Sequence, residues 1–167
     1  MDRQAPDTVV LPVGHGTLFL GTYIGFRELR EAGLVRRVPR LVGIQSASCA
    51  PVYRVFKKGE GEGVVIKKRE TLAEGIAIAK PIRWRQILEA VKDTGGEMLS
   101  VTEGEIAAAL VEMGRKGHYI EPTSAATVAG LKKYLKHIQK EVVLSSLTGT
   151  GLKASVKIGH LSIHSKR

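Results

Sequence analysis

Short continuous runs of branched apolar residues alternate along this chain with stretches of helical periodicity, and that alternation leaves few folds open. Thr8-Val9-Val10-Leu11-Pro12-Val13, Arg40-Leu41-Val42-Gly43-Ile44, the segment Glu97 to Val101 and Glu141-Val142-Val143-Leu144-Ser145 read as buried strands, with a briefer one around His118 to Ile120. Between them the spacing predicts helices over Thr17 to Ala32, Pro51 to Lys58, Trp84 to Thr94, Glu103 to Lys116 and about Ala125 to His137. Gly33 and Gly95-Gly96 stand where helices prefer to end, and Thr102 where one prefers to begin. Strands that are apolar throughout, joined through helices, pair in parallel and are covered on both faces. The expected architecture is therefore α/β, a doubly wound and mostly parallel sheet of about five strands.

The chain has 167 residues, of which 43% are hydrophobic and 25% charged. That supports one domain with a real core, here residues 1–153, followed by a basic tail over 154–167. No apolar run approaches the roughly 20 residues of a membrane span, and Met1 leads into Asp2-Arg3-Gln4 rather than a hydrophobic leader, so a cytoplasmic protein with no membrane partner is expected. Cys49 is the single cysteine, which excludes an internal disulfide, and no Cys/His spacing suggests a metal. The net charge of +10 raises nucleic acid as a partner. Its distribution speaks against one: Lys132, Lys133, Lys136 and Lys140 are spread over a helical stretch, and aromatic residues able to stack on bases are only 5% of the chain.

In doubly wound sheets ligands sit beyond the carboxyl ends of the strands, so the residues that follow each strand carry the functional reading. Gly14-His15-Gly16-Thr17 follows the first strand and opens a helix. Glycines let the backbone approach a ligand there, the first-turn N–H groups attract a phosphate, and Thr17 could add a hydroxyl. Neither a P-loop lysine nor a dinucleotide fingerprint is present, and an ordinary tight β-to-α turn would look similar, so both readings stay open. His15 is the one side chain of this turn capable of general-base chemistry, and serves as well as a hydrogen-bonding loop residue. Leu147-Thr148-Gly149-Thr150-Gly151-Leu152-Lys153 follows the last strand and places two hydroxyls between glycines, suited to a ring atom or a phosphate. Glu121, before Pro122, either reaches the same crevice or serves a helix N-terminus.

Taken together, the motifs Val10 to Thr17, Pro39 to Gln45, Cys49 to Tyr53, Ala73-Glu74-Gly75-Ile76-Ala77-Ile78, Glu121-Pro122-Thr123-Ser124-Ala125-Ala126 and Leu147 to Lys153 closely resemble, in order and spacing, the C-terminal portion of threonine synthases. The resemblance covers about residues 6 to 153. It implies an incomplete fold-type II, tryptophan synthase beta-like enzyme fold that uses pyridoxal phosphate (PLP) to convert O-phosphohomoserine and water into threonine and phosphate. On that resemblance Gly14, His15, Gly16 and Thr17 cradle the cofactor phosphate, with His15 where many members carry asparagine. Thr148 would bond the pyridine nitrogen, Glu74 and Gly75 would lie near one face of the ring, and Glu121 near the pocket. In the family the Schiff-base lysine and most substrate-phosphate contacts lie in an N-terminal portion, and none of the lysines here occupies that motif. No replacement exists for an imine-forming lysine. The expected protein is therefore inactive alone, with PLP held non-covalently if at all. The other reading is a non-catalytic module that binds a small phosphorylated ligand or a protein.

Either reading implies a partner, a homo-oligomer or a separate N-terminal half, because half a fold leaves a strand edge and apolar surface uncovered. In the tail, Val156 with Ile158 and Leu161 with Ile163 alternate with polar residues. An edge strand or a frayed end is expected there.

Overall fold

The computed structural model of the protein describes residues 4–59, 66–67 and 69–164. Strands β1 (Thr8–Pro12), β2 (Arg40–Ser46), β3 (Glu97–Val101) and β4 (Val143–Ser145) form a four-stranded sheet in the order β3-β2-β1-β4. All three pairings are parallel, with Thr8 opposite Arg40 and Val143, and Val42 opposite Glu97. The ladder between β1 and β4 ends at the Val10–Ser145 pair, whereas that between β1 and β2 runs on to Pro12 and Ile44. Pro12 is tolerated for this reason. The Val13 N–H donates to the Ile44 carbonyl at 2.9 Å, so by strand alternation the donor that proline lacks would face the β4 side, where pairing has already stopped.

Helices α1 (Thr17–Glu31), α2 (Pro51–Lys58) and α3 (Trp84–Asp93) cover one face, where Phe19, Leu20, Val52, Ile87 and Val91 pack on Val9, Leu11, Leu41 and Met98. Helices α4 (Glu103–Arg115) and α5 (Pro122–Tyr134) cover the other, with Ile106, Leu110, Ala125, Ala126 and Ala129 against Val10, Val42 and Ile44. Successive β1 residues thus enter opposite cores, as the continuous apolar runs require. The small residues of α5 bring it close to the sheet, and a Cβ on Gly130 would collide with Ile44.

Four expectations need correction. Among the described residues the sheet has four strands, because Ile120 forms only one antiparallel bridge, to Thr150. Pro122, two residues on, starts α5 and leaves no length for a strand; its fixed φ also makes the helix begin three residues before Ala125. The last strand starts at Val143 rather than Glu141, whose carboxylate instead accepts hydrogen bonds from Thr8, Arg40 and Tyr134. The tail is neither strand nor frayed over its described part. Thr150 caps a 3₁₀ turn over Gly151–Ala154 that continues into helix α6 (Ser155–His164), and Ile158 packs on the α4/α5-side core. The glycine-rich excursion after Gly59 lies outside the described residues, apart from Gly59 itself, which ends α2 at φ 69°.

Candidate functional site at the carboxyl edge

The chain runs from β1 outward to β2 and β3 on one side of the sheet and returns to β4 on the other, so the direction of winding reverses between β1 and β4. A crevice opens beyond the strand ends at such a reversal. The Gly14–Thr17 turn and the Leu147–Gly151 loop flank it, each leaving one of those two strands.

Gly16 is the N-cap of α1 with φ 89°, and no side chain caps the helix. Its first-turn N–H groups therefore lack partners within the helix and point out of its positive end. A side chain at Gly16 would meet Ile87 Cδ1 at 2.5 Å. Buried Gly14 lies under the 3₁₀ turn Glu74–Ile76, where a Cβ would stand 3.3 Å from the Gly75 carbonyl oxygen and 3.2 Å from Ile76 Cα. His15 and Thr17 are exposed at the rim. This is backbone able to touch an anion, with a hydroxyl and an imidazole beside it.

The other side is built on the start of α5. A Cβ on Gly75 would lie 2.7 Å from Thr123 Oγ1, which sets the Glu74–Ile76 turn directly on that helix. Buried Ser124 has its Oγ 3.1 Å from Thr148 Oγ1, and Thr148 donates to Glu121 Oε1 at 2.8 Å. The Gly149 N–H donates to Ser124 Oγ at 3.3 Å, and the Glu121 N–H to the Gly149 carbonyl at 3.0 Å. Lys153 Nζ stands 3.8 Å from Glu121 Oε2, and Lys157 of α6 pairs with Glu74. Of the expected site residues, Gly14 thus lies against Gly75, Gly75 against Thr123, and Glu121 is bonded to Thr148, whereas Gly16 faces Ile87 and His15 and Thr17 stand exposed at the rim.

Sequence reasoning missed several supports. Ser124 was visible only as part of a motif, though its place in the first turn of a helix gives it the reach of a loop-binding hydroxyl. Gln45, fully buried at the end of β2, donates to the Val13 carbonyl at 3.1 Å and accepts from the Tyr53 N–H at 3.0 Å, bracing the base of the glycine turn. Glu103 accepts from Ser46 at 2.7 Å and from the Leu72 N–H at 2.7 Å, and Thr71 donates to Ser46 at 2.9 Å. This network anchors the segment that carries Glu74 and Gly75. Burial pushes the Glu103 carboxyl up, but the hydrogen bonds from Leu72, Ser46, Thr71 and Ser48 outweigh it and hold the group below the ordinary carboxylate value. Among the described residues no cluster could hold a metal ion, and no helix is long and apolar enough to cross a membrane.

Known proteins resemble this chain in sequence and in fold. The chain is 34% identical over 157 residues to threonine synthase of Methanocaldococcus jannaschii, covering 92% of this chain and 39% of that protein. It is 37% identical over 134 residues to threonine synthase of Methanosarcina acetivorans, covering 80% and 33% respectively. The chain spans about two fifths of the length of the relatives it matches, in their C-terminal portion. Among solved structures, a fungal L-serine ammonia-lyase from Rhizomucor miehei superposes with a TM-score of 0.73 at 18% identity, covering 94% of this chain and 49% of that one. Threonine synthase from Escherichia coli gives 0.69 at 17%, covering 96% and 35%; at these identities the likeness is one of fold. Residues 1–149 match the family described as pyridoxal-phosphate dependent enzyme, and the chain belongs to that family.

Proposed function

We propose that this chain supplies the phosphate-and-ring half of a threonine synthase-type site and does not turn over substrate alone. The observation that carries the reading is the reversal of the sheet between β1 and β4, with the glycine turn on one side and the Thr148 hydroxyl on the other. The residues fit PLP. Gly14 to Thr17 offer uncapped N–H groups to its phosphate, and Thr148 offers a hydroxyl of the right size for a ring nitrogen. Glu74 and Gly75 border the ring's expected place, and Lys157 holds the Glu74 carboxylate there. Bound in this crevice, the cofactor would supply the electron sink for the family reaction, O-phosphohomoserine and water to threonine and phosphate. The two lysines at the crevice, Lys153 and Lys157, are each set against a carboxylate, and neither stands in the family's Schiff-base motif.

The partner in this reading is the N-terminal portion of the same fold. β4 lies at the sheet edge with Val142 and Leu144 exposed, and a cavity of about 440 Å³ between β4 and α1 is lined by Leu11, Leu18, Gly25, Phe26, Leu29 and Leu144. Relatives carry about three fifths of their length outside the matched region, which is the material available to fill it. The test mixes the purified chain with PLP and O-phosphohomoserine, follows cofactor absorbance and phosphate release, then reduces with borohydride and maps pyridoxyl-lysine. Saturable binding without turnover or adduct is expected, with turnover appearing when the N-terminal portion of the Methanocaldococcus relative is added. A stoichiometric adduct on one lysine with turnover by the chain alone would overturn it.

A further inference from the structure

The shape of the Glu74–Ile76 turn and its place have different sources. The shape is local: the N–H groups of Glu74, Ile76, Ala77 and Ile78 donate to the carbonyls of Leu72, Ala73, Glu74 and Ile76 at 2.9 to 3.1 Å, so these bonds close within the segment. The place comes from buried Ala73 and Ile76 and from Glu103, the first residue of α4. Glu103 Oε2 accepts from the Leu72 N–H and Oε1 from the Ser46 hydroxyl, both at 2.7 Å. Ser46 accepts in turn from Thr71 at 2.9 Å, and the Thr71 hydroxyl accepts from the Ala73 N–H at 3.2 Å. Each carboxylate oxygen thus holds the residues on which the turn starts. At the turn itself, the Gly75 carbonyl oxygen and Ile76 Cα are what a Cβ on Gly14 would meet, at 3.3 and 3.2 Å. A shift of the turn therefore moves backbone that bounds the glycine turn.

Resting on the reading of Gly14 to Thr17 as a phosphate-binding turn, we infer that Glu103 is a positioning residue of this site: acting through Leu72 and Ser46, it sets the Glu74–Ile76 turn against Gly14, and the affinity for a phosphorylated ring ligand depends on it. A carboxylate accepts at both oxygens, whereas the glutamine amide has one oxygen and its nitrogen presents hydrogens to the second donor. Glu103→Gln keeps the size of the side chain and leaves either Ser46 or Leu72 without its acceptor. A residue that only stabilised the fold would change how much protein is folded and leave the affinity of the folded protein alone. Tyr134 supplies that comparison. Its hydroxyl joins Thr8, Arg40 and Glu141 at the amino end of the sheet, away from the crevice.

The test uses the full chain at pH 7, at a temperature where circular dichroism shows each variant folded, and reads hydrogen exchange of the amides of residues 71–78 together with saturable binding of PLP by absorbance. Glu103→Gln is expected to exchange these amides about tenfold faster and to bind PLP about fivefold more weakly than wild type. Tyr134→Phe is expected to lower the unfolding midpoint while leaving both readouts within about twofold of wild type. Should Glu103→Gln not fold, Thr71→Val takes its place with the same expected direction, since it removes the hydroxyl between Ser46 and Ala73 and leaves Glu103 intact. Wild-type affinity for PLP in the folded variant, with or without faster exchange, overturns the inference, as does an equal loss of affinity in Tyr134→Phe; both leave the phosphate reading standing. Absence of saturable PLP binding to the wild-type chain overturns that reading and the inference with it.

Discussion

At the scale of the residue, two glycines in one segment differ in what they do, and only geometry separates them. Gly16 holds φ 89° against Ile87, whereas Gly21, five residues on within α1, has nothing within 4 Å of where a Cβ would stand. Replacing Gly16 with alanine forces a left-handed conformation and overpacks the α3 contact, an expected loss of roughly 2–4 kcal/mol in urea denaturation. Gly21→Ala removes backbone freedom from an exposed helix position and is expected to gain about 0.5–1 kcal/mol in the same measurement. Equal effects of the two substitutions would contradict this account. The amino-acid letters pointed to Gly14-His15-Gly16-Thr17 as a site, and to Thr148, Glu121, Glu74 and Gly75; the structure sets Gly14 beside Gly75 and bonds Thr148 to Glu121. They could not show that Ser124 bonds the Thr148 hydroxyl, since that pairing spans 24 positions and depends on two loops meeting.

At the scale of the element, helix boundaries were legible wherever a local signal fixes them. Thr102 does cap α4, in a reciprocal capping box with Glu105, and Pro51 does open α2. Thr102→Ala is expected to cost about 1 kcal/mol, read from the unfolding midpoint. Elements set by tertiary contact were less legible: β4 gives up Glu141 to Arg40 and Tyr134, and α6 is helical because the 3₁₀ turn before it and the contact of Ile158 outweigh a short alternation. Glu103, in the first turn of α4, ties that helix to β2 and to the Leu72 segment, and its carboxyl is held below the ordinary value by those hydrogen bonds after burial has pushed it the other way. The lowered folded-state value means the charged form is preferred on folding, so this contribution is present above the unfolded-state value of 4.5 and is lost as pH falls through the folded one. Glu103→Gln should therefore be less stable than wild type at pH 7, with the gap closing as the pH falls below the unfolded-state value of 4.5 and through the lower folded-state one. A gap that is constant across that range would show that the carboxylate's charge contributes nothing.

At the scale of the molecule, the alternation of strands and helices was enough to read a parallel sheet with both faces covered, but not which strand is left at the edge. That depends on the order β3-β2-β1-β4, a matter of how crossovers pass over the sheet rather than of any local signal. The edge carries no protection of the usual kind: Val142 is 67% exposed and Leu144 52%, with Leu147 beyond them, and no lysine or proline interrupts the strand. The facing stripe of α1 adds Leu18 and Leu29, each also exposed. Such an edge pairs with whatever strand reaches it, so in the absence of an N-terminal portion the chain should associate with itself as concentration rises. Leu144→Lys places a charge on the open strand at a half-exposed position, and is expected to weaken that association at least tenfold, about 1.4 kcal/mol, by light scattering over a dilution series. Its unfolding midpoint at low concentration should match wild type, because half of the leucine was already in water. The same substitution should block complex formation with the N-terminal portion of the Methanocaldococcus relative, since both partners compete for one edge. If the wild-type chain stays monomeric at high concentration, or if Leu144→Lys leaves both associations intact, the β4 edge is not the docking surface.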